Sequence, residues 1–139
     1  LANALKVIDG GVILASEAHL VAARGAPWTA EARTAATTVL DRIGAELRAR
    51  AIREIRAVVG NAGTLSGEAA NLFGTVAPFG TQAAPLTLHC PAKEAYRCAQ
   101  WLKAKGAETV TISRLEDVFD PANPLLAAFE AAMADRFDI

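Results

Sequence analysis

The sequence predicts an α+β protein in two parts, and three observations carry that reading. From Thr29 to about Arg50, apolar residues recur at helical spacing. Beyond this stretch the pattern changes to short alternating runs, "IREIRAVV" and "AETVTIS", that suit strands. Helix-like segments ending at Gly74 and Gly106 separate those runs, so strands and helices take turns along the second part.

The elements follow in chain order. Lys6 to Ile8 and Val12 to Val21 read as strands joined by "DGG", where glycine accepts positive φ at no steric cost. The second run is apolar on both faces, as a buried strand is, apart from Glu17 and His19. Those two share a face and read either as a polar sheet margin or as an acid and base pair. After "GAPW", Thr29 is the expected N-cap of a helix, with Glu31 in its first turn beside the positive helix end. Val39, Leu40, Ile43 and Leu47 form its apolar stripe. Arg42 with Glu46 and Glu46 with Arg50 are i, i+4 pairs of a solvated face.

In the next strand Ala51, Arg53, Ile55, Ala57 and Val59 lie on one side, and Ile52, Glu54, Arg56 and Val58 on the other. "NAGTLSGEAANLFG" then gives a loop and a helix capped by Thr64 or Ser66 and stopped by Gly74. "TVAPF" is a short strand closed by Pro78, and "GTQAAP" turns into the strand "LTLHC". Pro91 opens a helix to Lys105 with Tyr96, Trp101 and Leu102 among its large apolar residues; Gly106 ends it. "AETVTIS" follows with Val110 and Ile112 inward. The order is β-α-β-β-α-β, which is ferredoxin-like. A terminal helix takes Asn123 as N-cap, Pro124 at its first position and Leu126, Phe129 and Met133 as its stripe.

Composition sets limits on function. A chain of 139 residues with 53% hydrophobic content has enough apolar surface for a packed core. Charges or glycines break every apolar run short of the roughly 18 to 20 residues that span a bilayer, so no membrane partner is expected. A net charge of −1 gives no field for a nucleic-acid track. Of the two cysteines, Cys90 and Cys98, the favoured reading is reduced core thiols of a cytoplasmic protein. Together with His89 they could also form a thiol or metal site, although a fourth ligand is missing and no metal is expected. The sequence has no G-x-x-x-x-G-K-[ST], no G-x-S-x-G and no H-E-x-x-H motif. Leu1 stands where an intact protein has Met, and "LANALKV" offers no start signal, so the chain reads as the back part of a longer one.

Two stretches resemble a known family. "LANALKVIDGGVILASEAHL" is similar to the segment of ATP phosphoribosyltransferases, the first enzymes of histidine biosynthesis, that follows their phosphate-binding loop. There a helix reading R-A-N-G-L-K-V leads to a strand reading I-L-E-S-x-A-x-L. Asn3, Leu5, Lys6 and Val7 match the helix, and Ile13, Leu14, Ser16, Ala18 and Leu20 match the strand. Farther on, "GTVAPF" and "LKAKGAETVTI" resemble the P-T-V-S-P-L strand and L-K-x-x-G-A-x-x-I-L-V turn of the long form's regulatory domain. Gly74, Ala77 and Phe79 replace the family's Pro, Ser and Leu.

The resemblance implies that residues 1–50 end a periplasmic-binding-protein-like catalytic domain and that residues 51–139 form a ferredoxin-like regulatory domain. It implies transfer of phosphoribosyl from phosphoribosyl pyrophosphate to N1 of ATP, with Mg²⁺ bound alongside substrate in the upstream part. It also implies assembly into a homo-oligomer, dimer or hexamer. No catalytic residue is assigned within this chain. Asn3, closest to the upstream loop, is the one candidate substrate-binding residue, or else positions its helix. Thr75, Val76 and Ala77 are the candidate contacts for a regulatory amino acid, histidine, because Pro78 cannot donate to a ladder and leaves neighbouring polar groups for a ligand. An ordinary edge strand explains the same residues without a ligand. A non-enzymatic, amino-acid-sensing module of the same fold is the competing function.

Overall fold

A computed structural model describes residues 19–23 and 27–134. The expected strand at residues 6–8, most of that at 12–21, Asn3 and Glu17 lie outside the described residues. His19, Leu20 and Val21, expected to end the second strand, are exposed and lie outside the strands of the described residues.

Helix α1 runs Ala30–Ala51. Thr29 caps it as expected: its backbone is extended and its hydroxyl accepts from the Ala32 N–H at 3.2 Å. Glu31 gains from the same helix start. Hydrogen bonds from its own backbone N–H and from the Thr29 hydroxyl hold its carboxyl below the ordinary range. Arg50 pairs with Glu46 at 2.5 Å on the solvated face. The buried face is not the expected stripe, however. Ala45 and Ala49 are buried, whereas Val39 and Leu47 are exposed. Leu40 and Ile43 of that stripe are half-buried; α1 packs on α4 (Pro124–Ala134), with Gly44 admitting the close approach of Asn123.

Strand β1 (Ile52–Ala57) begins at the residue after α1 ends, with Ile55 and Ala57 facing the core as the alternation predicts. Helix α2 (Ala62–Phe73) starts earlier than expected: Asn61 is its N-cap, without a side-chain bond, and Thr64 and Ser66 fall inside the helix. Gly74 ends it in the left-handed region at φ 69°, donating its N–H to the Ala70 carbonyl, as the sequence requires.

The expected strand at "TVAPF" is reduced to one bridge, Val76 with His89. Pro78 has no N–H for a ladder, and the chain turns at once, the Gly80 N–H bonding the Ala77 carbonyl. Strand β2 (Leu86–Pro91) keeps Pro91 as its last residue, opposite Ile52. The helix expected from Pro91 therefore begins later, as α3 (Ala95–Ala104), after a turn in which the Glu94 N–H bonds the Pro91 carbonyl. Gly106, at φ 91°, follows its end. Strand β3 (Val110–Ser113) packs Val110 against the core, but Ile112 lies past the cover of the helices and is exposed.

The three strands are antiparallel in the order β2-β1-β3, and Val76 bridges the outer side of β2. Counting that bridge as a vestigial strand gives the chain positions 2-3-1-4 across the sheet, compatible with a small ferredoxin-like module. Helices α2 and α3 cover one face. Ile55, Leu65, Leu86, Leu88 and Leu102 are buried there, each contributing about 1.5–3 kcal/mol by leaving water. Phe73 meets Trp101 edge-on at 5.7 Å at the margin, while Tyr96 remains exposed.

Candidate functional site

The other face of the sheet forms the floor of a cavity of about 660 Å³. Ile52 and Glu54 of β1 and His89 and Pro91 of β2 supply that floor. Glu54 and His89 are cross-strand partners, so their side chains share this face. Val76, Pro78 and Phe79 make one rim, with the Phe79 ring edge-on to His89 at 6.4 Å. The segment after β3, from Leu115 to Pro121, makes the roof. The lining is largely apolar, with Glu54, His89, Arg48, Asp117 and Asp120 as the ionisable groups, a mixture typical of small-molecule sites.

Three tethers hold the roof, and Ala122 just beyond it, to α1. Arg48 donates to the Val118 carbonyl at 3.1 Å and also to the Ala122 carbonyl. The Val118 N–H bonds the Ala45 carbonyl at 3.1 Å. Asn123, as expected, caps α4: its Oδ1 accepts from the Leu125 and Leu126 N–H groups. Its Nδ2 reaches back to the Leu40 carbonyl at 3.1 Å. Nothing in the local sequence announces these contacts, since Arg48 and Asn123 meet partners 70 or more positions away.

Of the expected regulatory residues, only Val76 lines this cavity. Thr75 is buried, and its hydroxyl has no hydrogen-bond partner among the described residues. Ala77 packs against the core. The alternation of side chains along an extended stretch separates the three, placing Val76 on one face and its neighbours on the other. The orphan hydroxyl is nonetheless an unusual feature, because leaving such a group unpaired and buried costs about 1–3 kcal/mol.

The thiols do not join His89. Strand alternation turns Cys90 into the core beside Cys98 while His89 faces the cavity. Burial pushes the Cys90 thiol up, and pushes Cys98 up to about 12. Both are therefore poor nucleophiles at neutral pH. Among the described residues no three His, Cys, Asp or Glu side chains gather as a metal ion would require. Nor is any described helix long and apolar enough to cross a membrane.

No protein-family model matches the chain. Individual relatives do. It is 46% identical over 134 residues to ATP phosphoribosyltransferase of Rhodopseudomonas palustris, covering 94% of this chain and 41% of that protein. The corresponding proteins of Bradyrhizobium diazoefficiens and Nitrobacter hamburgensis are 47% and 48% identical over 133 residues, with the same coverage. The chain spans about two fifths of the length of the curated relatives it matches. Along nearly its whole length, then, the chain is similar to part of these ATP phosphoribosyltransferases.

Proposed function

We propose that this chain is the C-terminal part of an ATP phosphoribosyltransferase, which joins N1 of the ATP adenine to the ribose C1 of phosphoribosyl pyrophosphate and releases pyrophosphate. The observation that carries the reading is the identity of 46–48% held along 94% of the chain to proteins of that name. Residues 1–50 belong to its periplasmic-binding-protein-like catalytic domain and residues 51–139 to a ferredoxin-like regulatory domain. The exposed ridge of α1 supports this division. Val39 and Leu47 are 46% and 53% exposed and, with the half-buried Ile43 between them, form an i, i+4 apolar line suited to packing on a catalytic sheet.

The reacting groups lie outside this stretch. Phosphate is held by backbone N–H groups of a loop upstream, with Asn3 beside it as a substrate contact or helix-positioning residue. The described residues do not fit a Mg²⁺ site, so the metal is assigned to the upstream part together with the substrates. The parent works in the cytoplasm as a homo-oligomer and is inhibited by histidine. That ligand binds at the Thr75–Ala77 stretch, and the cavity beside Val76 supports the reading.

Activity separates the parts. The purified 139-residue chain should form no phosphoribosyl-ATP, whereas a parent carrying a glycine-rich, Thr-Leu-ended loop upstream of Leu1 should form it. Turnover by the short chain alone, or an upstream sequence without such a loop, would overturn the reading.

A further inference from the structure

Helix α4 carries almost no charge. Of its 11 residues only Glu130 is ionisable, and Glu130 lies beside Arg33 and Thr37 of α1 in the groove between the two helices. The covered side of α4 is complete: Met133 is buried, Leu126 and Phe129 are half-buried, and Asn123 fixes the helix start to the Leu40 carbonyl. Its free side is Leu125, Ala128 and Ala132, at i, i+3 and i+7, with Ala127 and Ala131 beside them, all exposed. A surface helix ordinarily turns charged side chains to water, and one that is apolar all round is enclosed by protein. The route of the chain points to what encloses α4. The segment leading into α1 is already seated on it: the Trp28 ring meets Phe129 edge-on at 5.4 Å, and Trp28 Nε1 donates to the Ala23 carbonyl at 3.2 Å. Leu20 and Val21, a few residues earlier, are exposed apolar side chains as well. A lipid surface is a poor match, because α4 has no lysine or arginine to meet anionic headgroups.

We propose that α4 is a docking surface for the upstream catalytic part of the parent enzyme. The proposal rests on the division of the chain given above and moves one element across it. After completing the ferredoxin-like module the chain returns to α1 and lays Leu125, Ala128 and Ala132 against the catalytic part. Helices α1 and α4 then form one layer, to which Val39 and Leu47 of α1 add further exposed apolar surface. The ferredoxin-like module, with α2 and α3 packed on its sheet, is inserted between the two helices of that layer. Alanines suit the contact, since the distance between packed helices is set by the side chains at their contact and small ones permit a close approach.

The test places a charge on the free side of α4 in two settings. Ala128→Glu and Ala132→Arg are made in the full-length parent and in the 139-residue chain, with Ala70→Arg, at an exposed position of α2, as the control. In the parent each α4 variant should lower the midpoint of thermal inactivation by about 5–10 °C, because a charge is forced into an apolar contact. In the 139-residue chain the same variants should leave the unfolding midpoint within about 1 °C, as surface substitutions do. Ala70→Arg should move neither midpoint. Hydrogen exchange gives a readout without substitution: the α4 amides should exchange at least about tenfold more slowly in the parent than in the shorter chain. Equal effects of the α4 variants in the two settings, or equal exchange, would overturn the docking role. So would a 139-residue chain that dimerises in sedimentation and is made monomeric by Ala132→Arg, since a second copy would then be the occupant. A parent that forms no phosphoribosyl-ATP would remove the functional reading, whereas the exchange comparison tests the docking of α4 independently of activity.

Discussion

Replacing Gly44 by alanine should destabilise this protein, although the same change elsewhere in a helix stabilises. Gly44 sits inside α1, where alanine is favoured over glycine by about 1 kcal/mol. Against that gain stands Asn123. A β-carbon at position 44 would lie 2.8 Å from Asn123 Nδ2 and 2.9 Å from Oδ1, distances that real contacts do not tolerate. The amide is buried and fixed at both ends, by the Leu40 carbonyl and by the first N–H groups of α4, so it cannot swing aside without losing them. Loss of the cap costs about 1 kcal/mol and of the buried hydrogen bond about another. Residual crowding adds about 1–3 kcal/mol, leaving a net loss of about 2–4 kcal/mol. Gly67 is the control: it is exposed in the middle of α2 and a β-carbon there meets nothing within 4 Å. Urea titrations should show the midpoint falling for Gly44→Ala and rising, by the equivalent of about 1 kcal/mol, for Gly67→Ala. Equal stabilisation by the two changes would refute the account of the α1–α4 contact.

Two further outcomes are expected. Because burial raises the Cys98 pKa to about 12 while an unfolded thiol titrates near about 8.5, the unfolded state loses its proton first and stability falls as pH rises between these values. The slope is at most about 1.4 kcal/mol per pH unit for this group; urea midpoints from pH 8 to 11 should show it, and a Cys98→Ala variant with an undiminished slope would count against it. A chain beginning at Ala51 retains every buried residue of the core between the sheet, α2 and α3, but not the surface on which α4 rests. It should keep the near-ultraviolet dichroism of Trp101 and lose helical signal from α4, whereas a molten spectrum would place the domain boundary elsewhere.

Much of this fold was legible because local chemistry decided it. Thr29 has the hydroxyl that α1 needs, Gly74 and Gly106 take the positive φ that ends a helix, and Ile55 and Ala57 face inward where the alternation puts them. The misreadings have a common physical origin, namely that tertiary neighbours chose between two local possibilities. Pro91 suits a helix start equally well, but the ladder with Ile52 claims it as a strand end. Large side chains marked a face of α1 that is only partly covered, since the close approach of Asn123 is made possible by Gly44, which has no side chain. The site was the least legible part. "GTVAPF" lies at one rim of the cavity, yet the roof and its Arg48 tether depend on contacts between distant segments that no local pattern encodes.

The direct passage from Ala51 to Ile52 constrains how this protein can vary over evolutionary time. An extra residue at that joint would rotate α1 by about 100° relative to the strand, carrying Gly44 and Arg48 away from Asn123 and the Val118 carbonyl. If the helix stayed in place instead, the strand would slip by one and turn Ile55 out of the core. Either way two interlocked periodicities break at once. Descendants should therefore accept insertions readily in the turn at residues 80–85 but preserve the spacing between Gly44 and Ile55, with substitutions rather than changes of length recording the divergence of this segment.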